Sequence, residues 1–569
     1  MSELSLFNLV DEPWIQVRWL DGKVSCESLT SVFAHAREIQ EIGGELPTQA
    51  FAILRALLAI LQRAIVTADD FDETADPAQV WGDLWNPPSL PMMKITDYLD
   101  EWHDRFNLFD EVKPFMQVAG LHTPKNEITE VKKIIADVPD GYQFFTMRSG
   151  DAAKTLSFAE AARWLIHVQA YDTAGIKSGV VGDSRVKGGK SYPIGTGWAG
   201  KIGGVYAVGH NLETTLLLNL HLASPTDREQ LVTLSDRPVW ERDPDHPGGT
   251  ARIPTGNVDI YTWQARRIRL VQDAKSVIGV VLTNGDKLDP QNRFFLEPLT
   301  GWRRSKPQEK ALKLPLVYMP AELKPDRAMW RGVDSLLPSV HPGTVDGQDY
   351  LPPGIVTWIG YLASDDGGSC INRSETILLR GVGVSYGPQN STFVEVIDDS
   401  LSIHASLLKP SGIALATLVK SCVAETDEAV RHLGFLASNL HIAGGGDTET
   451  TAGPRDRARE LAYFALDLAF RHWLADLSLL EGDVAAQENY AIHVREEWRK
   501  TARNILGQIG SQLLREAGPQ AFTGHETSIG REKSWMTAGK AERIFRASLR
   551  KTLPLVSDQP QQTSPQGKE

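Results

Sequence analysis

The most apolar stretch of the chain is PTQAFAILRALLAILQRAIV, residues 47–66. Pro47 suits the first turn of a helix, where the missing amide hydrogen of proline is not needed. Between Phe51 and Ile65 the apolar run contains two arginines and one glutamine, and it is too short to span a bilayer. The stretch therefore predicts a buried helix of a soluble protein, and no membrane partner is expected.

The region that follows this helix predicts a mixed α+β domain. From about residue 80 to 400, short helical patterns alternate with β-rich runs such as 276–283 and 375–384, separated by proline, glycine and asparagine turns. Asn284-Gly285 is a typical hairpin pair and predicts a turn between two strands. The connections are long, and long loops in a globular domain usually carry function or are disordered.

After about residue 405 the sequence becomes helical. Apolar residues between 415 and 436 recur mostly at three- and four-residue intervals, which places them on one helical face. A second helix is predicted from Pro454 to 477, a third over roughly 484–517 and a fourth over roughly 537–552. Four amphipathic helices joined by polar connectors predict an antiparallel four-helix bundle.

These patterns predict an α+β fold class, with a large, irregular, mixed α/β N-terminal domain that has long loops, followed by a C-terminal four-helix bundle. A chain of 569 residues exceeds what one hydrophobic core usually serves, so more than one domain is expected. The predicted boundaries are 1–400 for the N-terminal domain and 401–556 for the bundle. Residues 557–569 form a polar tail that we expect to be disordered.

The charge balance excludes one class of nucleic-acid binder. The formal net charge of −13 argues against a protein that coats its ligand unaided, but it permits basic patches on a subunit of a larger assembly. The three cysteines lie far apart and show no metal-binding or disulfide spacing, so no metal and no other cofactor is expected. Together with an acidic N-terminus that does not resemble a signal peptide, they predict a cytoplasmic protein.

Residues 175–204, the glycine segment, have the opposite charge character. They contain ten glycines, four lysines, one arginine and a single acid. No ordinary helix or strand tolerates this many glycines, because glycine loses more backbone entropy on ordering than any other residue. The composition predicts a long surface loop whose backbone approaches an anion, most naturally a nucleic-acid backbone. The cations expected around that anion are Lys177, Arg185, Lys187, Lys190 and Lys201.

Two short patterns are similar to enzyme motifs but lack the context that those motifs need. SRVKGGKS, residues 184–191, is close to a phosphate-binding P-loop, but the residues that follow it cannot begin a helix. Ser385 occupies a G-x-S-x-G pattern, but Pro388 and a strand-like run follow where a nucleophile elbow requires a helix. We therefore expect no enzyme; a hydrolase or NTPase using Ser385 or Lys190 is the alternative.

Two further segments are locally basic. GWRRSKPQEKALK, residues 301–313, places Arg303 and Arg304 beside a tryptophan, and guanidinium groups match phosphate oxygens well. Residues 531–551 carry a local net charge of +5. Three arginines of this second segment share one helical face, namely Arg543, Arg546 and Arg550. A charged surface that serves only solubility is the alternative for both segments.

In their order and spacing, four segments resemble the CasA family, the large subunits of type I-E CRISPR surveillance complexes (Cascade). They are FNLVDEPWIQV (7–17), KPFMQ (113–117), VYAVGHNLETTLLLNL (205–220) and GVSYGPQNS (383–391). The resemblance covers nearly the whole chain. No single motif is as specific as a zinc-finger spacing, so the order of the motifs carries the match.

The resemblance implies a non-catalytic protein of antiviral defence. Members of this family recognise the short PAM duplex beside a DNA target, largely from the minor groove, and start strand separation for pairing with the guide RNA. They then offer a platform to the nuclease. The implied partners are the guide CRISPR RNA, double-stranded target DNA, the other Cascade subunits and the helicase–nuclease effector.

The resemblance also implies roles for individual residues in DNA recognition. The glutamine wedge of the family matches Gln389-Asn390, and either side chain could enter the duplex. The minor-groove lysine corresponds to Arg293, with Lys287 as the nearby alternative. The glycine loop of the family falls within Gly188–Gly197, so its DNA-binding residues would be Gly188, Gly189, Lys190, Gly195 and Gly197.

For the guide RNA, the resemblance points to a different segment. The anchoring loop of the family matches GYQFFTM, residues 141–147, and places its aromatic side chain at Phe145. A buried aromatic pair with Phe144 is the alternative. Electrostatic attraction of the DNA strands is expected from Arg303, Arg304, Arg543, Arg546 and Arg550.

Overall fold

The computed structural model of the chain describes residues 6–136, 138, 148, 154–223, 232–338, 348–372, 374–478, 484–529 and 532–558. Phe145 and residues 559–569 of the predicted tail lie outside the described residues. The chain has two compact units. The first comprises Met1–Leu401 with Leu408–Pro410, and the second comprises Ser402–Leu407 with Ser411–Glu569.

Short helices and strands alternate irregularly in the first unit, while long helices dominate the second. The α-helices are α1 Leu29–Ala34, α2 Pro47–Val66, α3 Pro77–Trp85, α4 Met92–Glu101, α5 Phe158–Tyr171, α6 Leu212–Leu218, α7 Asn257–Tyr261, α8 Lys306–Leu312, α9 Gly354–Leu362, α10 Ala405–Leu408, α11 Ile413–Ala443, α12 Ala452–Ala475, α13 Val484–Glu516, α14 Pro519–Thr523 and α15 Ala538–Thr552. The strands are β1 Ile15–Trp19, β2 Val24–Glu27, β3 Ile39–Ile42, β4 Lys177–Ser178, β5 Lys190–Ser191, β6 Gly204–Val208, β7 Arg266–Gln272, β8 Val277–Asn284, β9 Trp302–Arg304, β10 Tyr318–Pro320, β11 Tyr350–Leu351, β12 Thr376–Tyr386, β13 Phe393–His404, β14 His525–Ile529 and β15 Glu532–Met536.

Helix α2 lies in the core of the first unit. Eighteen of its twenty residues are buried, as expected for a helix that is apolar on nearly every side. Its arginines are buried in ion pairs, Arg55 with Glu297 at 2.8 Å and Arg63 with Glu241 at 2.6 Å. Within the described part of the chain α2 is the one helix long and apolar enough to cross a membrane, yet 94% of its apolar window is buried inside the protein. The predicted buried helix is confirmed.

Small antiparallel sheets carry the loops of the first unit. The sheets have the strand orders β2-β1-β3, β10-β9-β11 and β13-β12-β6, and β4 and β7 pair with β5 and β8 respectively. The runs predicted as strands at 276–283 and 375–384 are β8 and β12, which confirms them within two residues. Each loop that becomes important below begins or ends at one of these strands.

The hairpin of β7 and β8 turns at residues 273–276, not at Asn284-Gly285. The Asp273 carboxylate accepts hydrogen bonds of 2.8 Å from two backbone amides of that turn and so closes it. Asn284 pairs with Arg266 at the opposite end of the hairpin. The prediction of a turn at Asn284-Gly285 is therefore wrong, because the chain has a better turn-forming residue eleven positions earlier.

In the second unit, α11 packs against α12, α13 and α15. Trp498 on α13 is buried there and donates a hydrogen bond of 2.9 Å to the Thr426 hydroxyl on α11. Glu425 on α11 binds Arg495 and Arg499 on α13. The three helices predicted with bounds begin and end within two residues of α12, α13 and α15, which confirms them. The hairpin of β14 and β15 between α14 and α15 was not predicted.

Candidate nucleic-acid interface

The tip of the glycine segment is a two-residue turn, which we call the glycine turn (Lys187–Lys190). Lys187 and Lys190 exchange backbone hydrogen bonds of 3.0 and 3.1 Å across it. Gly188 and Gly189 have φ angles of 57° and 73°, as a type I′ turn requires. A Cβ atom at either glycine would meet no atom within 4 Å, so the tip is open to solvent. Bare backbone flanked by two exposed lysines is therefore available to a ligand.

Three of the five cations expected around an anion are instead engaged within the protein. Lys177 is buried, and its Nζ binds Asp172 at 2.5 Å. Arg185 holds the Asp183 carboxylate through hydrogen bonds of 2.9 and 3.0 Å. The Lys201 Nζ donates to a backbone carbonyl in the loop after β8, and burial lowers its pKa to about 8. The segment folds back onto the protein, which leaves the two lysines of the glycine turn to face solvent.

Gly195 and Gly197 do not lie at the exposed tip. Gly197 is buried, and a Cβ atom there would lie 2.4 Å from the Ala170 carbonyl. Its amide donates a hydrogen bond of 2.9 Å to the Asp172 carbonyl. Gly195 is half-buried, with a φ of 103° that favours glycine. The predicted DNA contact at Gly197 is thus corrected: this glycine lets α5 and the segment pack closely.

A second exposed tip lies between β12 and β13, and we call it the Gln389 turn (residues 387–392). Backbone hydrogen bonds from Gly387 to Thr392 and from Asn390 to Gly387, each 2.9 Å, close it. Gln389 and Asn390 have left-handed φ angles of 58° and 54°, which cost free energy in residues that carry a side chain. Both residues are exposed. Backbone strain of this kind is frequent where a protein presents a side chain to a ligand.

Neither enzyme-like motif has the helix that its chemistry requires. Lys190 lies in β5, and the chain continues without regular structure through Pro193. Ser385 lies within β12, which ends at Tyr386 and leads into the Gln389 turn. A P-loop needs a helix N-terminus facing the phosphates, and a nucleophile elbow needs a helix behind its serine. The geometry therefore gives no support to a hydrolase or NTPase.

A third element, residues 287–293, follows β8, and Lys287 and Asp289 are its exposed residues while Arg293 is half-buried. The exposed Lys287 binds the Asp289 carboxylate at 2.8 Å through its Nζ. The Arg293 Nε donates to the Asp289 carbonyl at 3.2 Å. The sequence left open which of the two cations corresponds to the minor-groove lysine, and the structure places both on one short segment. Either could therefore reach the same ligand.

Hydrogen bonds join these three elements. The Asn284 amide, at the end of β8, donates to the Ser191 carbonyl at 3.2 Å and to the Tyr192 carbonyl at 2.9 Å, both in the glycine segment. Just before the start of that segment, the amide of Ala174 donates to the Asn390 carbonyl at 2.8 Å. The glycine turn, residues 287–293 and the Gln389 turn are thus attached to a common framework.

The basic segment 301–313 is divided between core and surface. Trp302 on β9 is buried, so it does not stack on an external ligand. Arg303 is exposed, whereas the Arg304 Nε binds Glu309 at 2.7 Å. Because Glu309 already neutralises Arg304, Arg303 is the arginine of this pair with its charge directed to solvent.

In the second unit a basic groove of about 680 Å³ lies between α13 and α15. Both helices contribute its cations, which are Lys500, Arg503, Arg515, Arg546 and Arg550. Arg503 pairs with Asp558, and Arg546 pairs with Glu542. Arg543, the third arginine of the predicted stripe, is exposed but does not line the groove. The cations of α13 were missed because they form no continuous basic run: eleven uncharged residues separate Arg503 from Arg515, although Lys500 and Arg503 stand at helical spacing.

The family model described as CRISPR-associated protein Cse1 matches residues 8–509, most of the chain. The chain belongs to the Cse1 family. This confirms the resemblance to CasA proteins that the sequence motifs indicated, since CasA and Cse1 name the same protein in a relative from Thermus thermophilus.

Solved Cse1 structures share the fold. Cse1 from Thermobifida fusca is 40% identical to this chain and has a TM-score of 0.83, with 96% of this chain and 98% of that chain covered. Cse1 from Acidimicrobium ferrooxidans is 27% identical, with a TM-score of 0.76 and the same coverage of 96% and 98%. The mixed α/β architecture with many helices and small sheets is therefore that of Cse1 proteins.

Two further relatives have lower sequence identity to this chain or cover a smaller part of it. The CRISPR-associated protein CasA/Cse1 of Thermus thermophilus is 28% identical over 348 residues, which are 59% of this chain. In that alignment the chain spans 61% of the length of the relative. A solved chain described as a CRISPR RNA-guided surveillance complex is 16% identical, with a TM-score of 0.63 and coverage of 89% and 99%. At that identity it shows a shared fold alone.

Proposed function

We propose that this Cse1 chain is a non-catalytic subunit of an RNA-guided CRISPR surveillance complex in the cytoplasm. It recognises the PAM of double-stranded DNA from the minor groove, wedges the duplex to start R-loop formation, and recruits a helicase–nuclease in antiviral defence. Its partners are the guide RNA, the target DNA and the other subunits of the complex. Membership of the Cse1 family, and the fold shared with a chain of a surveillance complex, support this assignment.

The observation that carries the proposal is the joining of three elements in the first unit, each of which presents exposed polar or charged residues. The glycine turn and the Gln389 turn are two tips attached to one framework, and the cations of residues 287–293 are attached to the same framework. A protein that leaves target reading to base pairing needs only a few contacts to a short duplex. Three small, fixed elements suit that task better than an extended basic surface would.

The glycine turn suits a minor groove. That groove is about 6 Å wide in B-DNA, so backbone enters it more readily than large side chains do. Gly188 and Gly189 would approach the base edges, while Lys187 and Lys190 would contact the phosphates on either side. Minor-groove edges distinguish base pairs coarsely, so we expect several related PAM sequences to be accepted.

The Gln389 turn suits a wedge. Its two exposed polar side chains stand on a backbone that is closed by its own hydrogen bonds and anchored through Ala174. Opening a base step costs a few kcal/mol, which new contacts to the separated strands offset. A turn already held in shape loses little further entropy on insertion, so more of the binding energy is available to open the duplex.

The second unit has a separate part in the proposal. We assign PAM recognition and guide-RNA anchoring, the latter by the loop containing Phe145, to residues 1–400. Residues 401–556 are then a four-helix bundle whose basic groove attracts a DNA strand through its phosphates. Arg303 in the first unit adds to this attraction.

The test of the proposal is PAM discrimination by the assembled complex. Binding is measured on two duplexes that share a target, one with the PAM and one with the PAM scrambled. We expect Gln389→Ala/Asn390→Ala to abolish most of the preference for the PAM duplex, because the wedge can no longer open it. Ser369→Ala is the control, since Ser369 is also exposed and left-handed, with a φ of 50°, but lies in the loop after α9.

Two results would contradict the proposal. One is an unchanged PAM preference in the Gln389→Ala/Asn390→Ala complex. The other is catalytic turnover that Ser385→Ala abolishes, which would favour a hydrolase instead.

A further inference from the structure

We infer that Arg266 is a positioning residue that fixes the spacing between the glycine segment and the Gln389 turn, so that the two act on DNA as one unit. The inference rests on the proposed function of these two elements. It concerns a buried residue at the start of β7 that lies outside both of them and is not exposed to any ligand.

The Arg266 guanidinium bonds to two separate parts of the chain. Its Nε binds the Asp172 carboxylate, just after the end of α5. Its Nη2 donates to the Thr173 carbonyl and to the Gly195 carbonyl, each at 2.9 Å. One planar group thus joins the residues after α5 to the middle of the glycine segment. Arginine can span these acceptors because its donors form a rigid fork.

The same residues after α5 hold the Gln389 turn from the other side. The Ala174 amide donates to the Asn390 carbonyl at 2.8 Å. The Tyr386 hydroxyl, at the end of β12, donates to the Tyr171 carbonyl at 2.6 Å. We call residues 171–174 the bridge segment, because they are hydrogen-bonded to the Gln389 turn directly and to the glycine segment both directly, at Asp172, and through Arg266.

Close packing restricts movement of the glycine segment relative to α5 and β12. A Cβ atom on Gly200 of the glycine segment would lie 2.1 Å from the Tyr386 hydroxyl oxygen. A Cβ atom on Gly197 would lie 2.4 Å from the Ala170 carbonyl, and the Gly197 amide also donates to the Asp172 carbonyl. A displacement of the glycine segment would therefore be transmitted to the strand that carries the Gln389 turn.

The charges around Arg266 explain why its hydrogen bonds to the backbone carbonyls are strong. The Asp172 carboxylate is shared by Arg266 and Lys177, so one anion faces two cations in a buried site. Burial opposes ionisation of Asp172, but Lys177 and Arg266 together hold its pKa below the usual value. The carbonyl oxygens of Thr173 and Gly195 accept hydrogen bonds from the charged Arg266 guanidinium. Hydrogen bonds from a charged donor are stronger than those between neutral groups.

The experiment uses Arg266→Lys in the assembled complex. Lysine keeps a positive charge beside Asp172 but cannot also reach the carbonyls of Thr173 and Gly195 in the geometry of the fork. We expect the preference for the PAM duplex to fall about tenfold, within the usual range of coupling between two sites. Affinity for the scrambled duplex stays unchanged, because the exposed cations are untouched.

A double-mutant cycle separates positioning from general destabilisation. If Arg266 acts through the Gln389 turn, Arg266→Lys causes no further loss of PAM preference when Gln389→Ala/Asn390→Ala is already present. A merely structural role predicts two independent losses. Tyr386→Phe, which removes one hydroxyl that is hydrogen-bonded to the bridge segment, should act in the same direction and stay informative if Arg266→Lys fails to fold.

Arg63→Lys is the matched control for this experiment. Arg63 is equally buried, binds the Glu241 carboxylate, and donates to the carbonyls of Leu234 and Asp236 at 3.1 and 3.0 Å. It lies on α2, so Arg63→Lys should lower stability by a similar amount and leave the PAM preference unchanged.

The outcomes distinguish the inference from the function on which it rests. An unchanged preference in both Arg266→Lys and Tyr386→Phe overturns the inference, and so does a loss that adds to that of Gln389→Ala/Asn390→Ala. If Gln389→Ala/Asn390→Ala itself has no effect, the proposed wedge fails and the inference fails with it.

Discussion

Lys201 is a cation of the glycine segment that serves the fold. It lies beneath Gly195, where a Cβ atom would stand 3.1 Å from the Lys201 Cε, and it donates to the Leu288 carbonyl. Burial, and next the positive charge of Arg266, lower its pKa from 10.5 to about 8. A residue that composition alone would assign to phosphate binding therefore attaches the glycine segment to the loop after β8.

This placement predicts a dependence of stability on pH. Between about pH 8 and pH 10.5 the unfolded chain holds the Lys201 proton and the folded chain does not, so the free energy of unfolding rises with pH in that window. We expect Lys201→Met to remove this part of the rise. Urea denaturation from about pH 7 to pH 10 measures it, with the exposed Lys190→Met as control. Identical profiles for Lys201→Met and the unaltered protein would contradict the assignment.

At the scale of elements, the long helices can be predicted from the local sequence pattern, whereas the contacts of the loops cannot. The apolar composition of residues 47–66 and the helical spacing after residue 405 are properties of continuous sequence, and both are confirmed as helices. The engagement of Lys201 depends on the Leu288 carbonyl, which lies 87 residues later in the sequence. No local pattern reports such a partner, so the loop composition overstated the number of cations available to a ligand.

The basic groove gives a prediction for one pair of elements, α13 and α15. Neutralising two of its cations with Arg546→Gln/Arg550→Gln should reduce the slope of log affinity against log salt by about 1.5, since each phosphate contact contributes about 0.7 to 0.9. The measurement is DNA binding by the assembled complex at several salt concentrations. Arg431→Gln/Arg457→Gln is the control, because these exposed arginines of α11 and α12 do not line the groove. A slope that matches the control would leave the groove with no contact to DNA.

On the scale of the whole molecule, the exposed cations described above are confined to a few places on an acidic chain. A net charge of −13 repels nucleic acid in general, so the proposed function assigns DNA binding only to the glycine turn, residues 287–293, Arg303 and the groove of the second unit. The charge runs of the sequence predicted basic segments at 175–204, 301–313 and 531–551, and contact of these segments with DNA stays a prediction. The sequence could not predict that hydrogen bonds of the bridge segment join the glycine segment to the Gln389 turn, because that depends on tertiary contacts.

Because the Gln389 turn lies in the first unit and the basic groove in the second, we expect the two units to make separable contributions to DNA binding. Variants of the Gln389 turn should change PAM preference and leave the salt slope alone, whereas variants of the groove should do the reverse. Combining Gln389→Ala/Asn390→Ala with Arg546→Gln/Arg550→Gln should give free-energy changes that add within about 0.5 kcal/mol, as for independent sites. A strongly non-additive result in the binding measurement would show that the sites are coupled.

The left-handed backbone of Gln389 and Asn390 lowers the thermal stability of the protein, while their side chains form the proposed wedge. The left-handed conformation of Gln389 costs roughly 1 kcal/mol that glycine would avoid, and that of Asn390 costs less, because asparagine adopts this conformation more readily than most residues. Selection for thermal tolerance alone would therefore favour glycine at this turn, and the resulting protein would be more stable but would lack the side chains of the proposed wedge. Persistence of the costlier residues would mark a lineage in which duplex opening is still under selection.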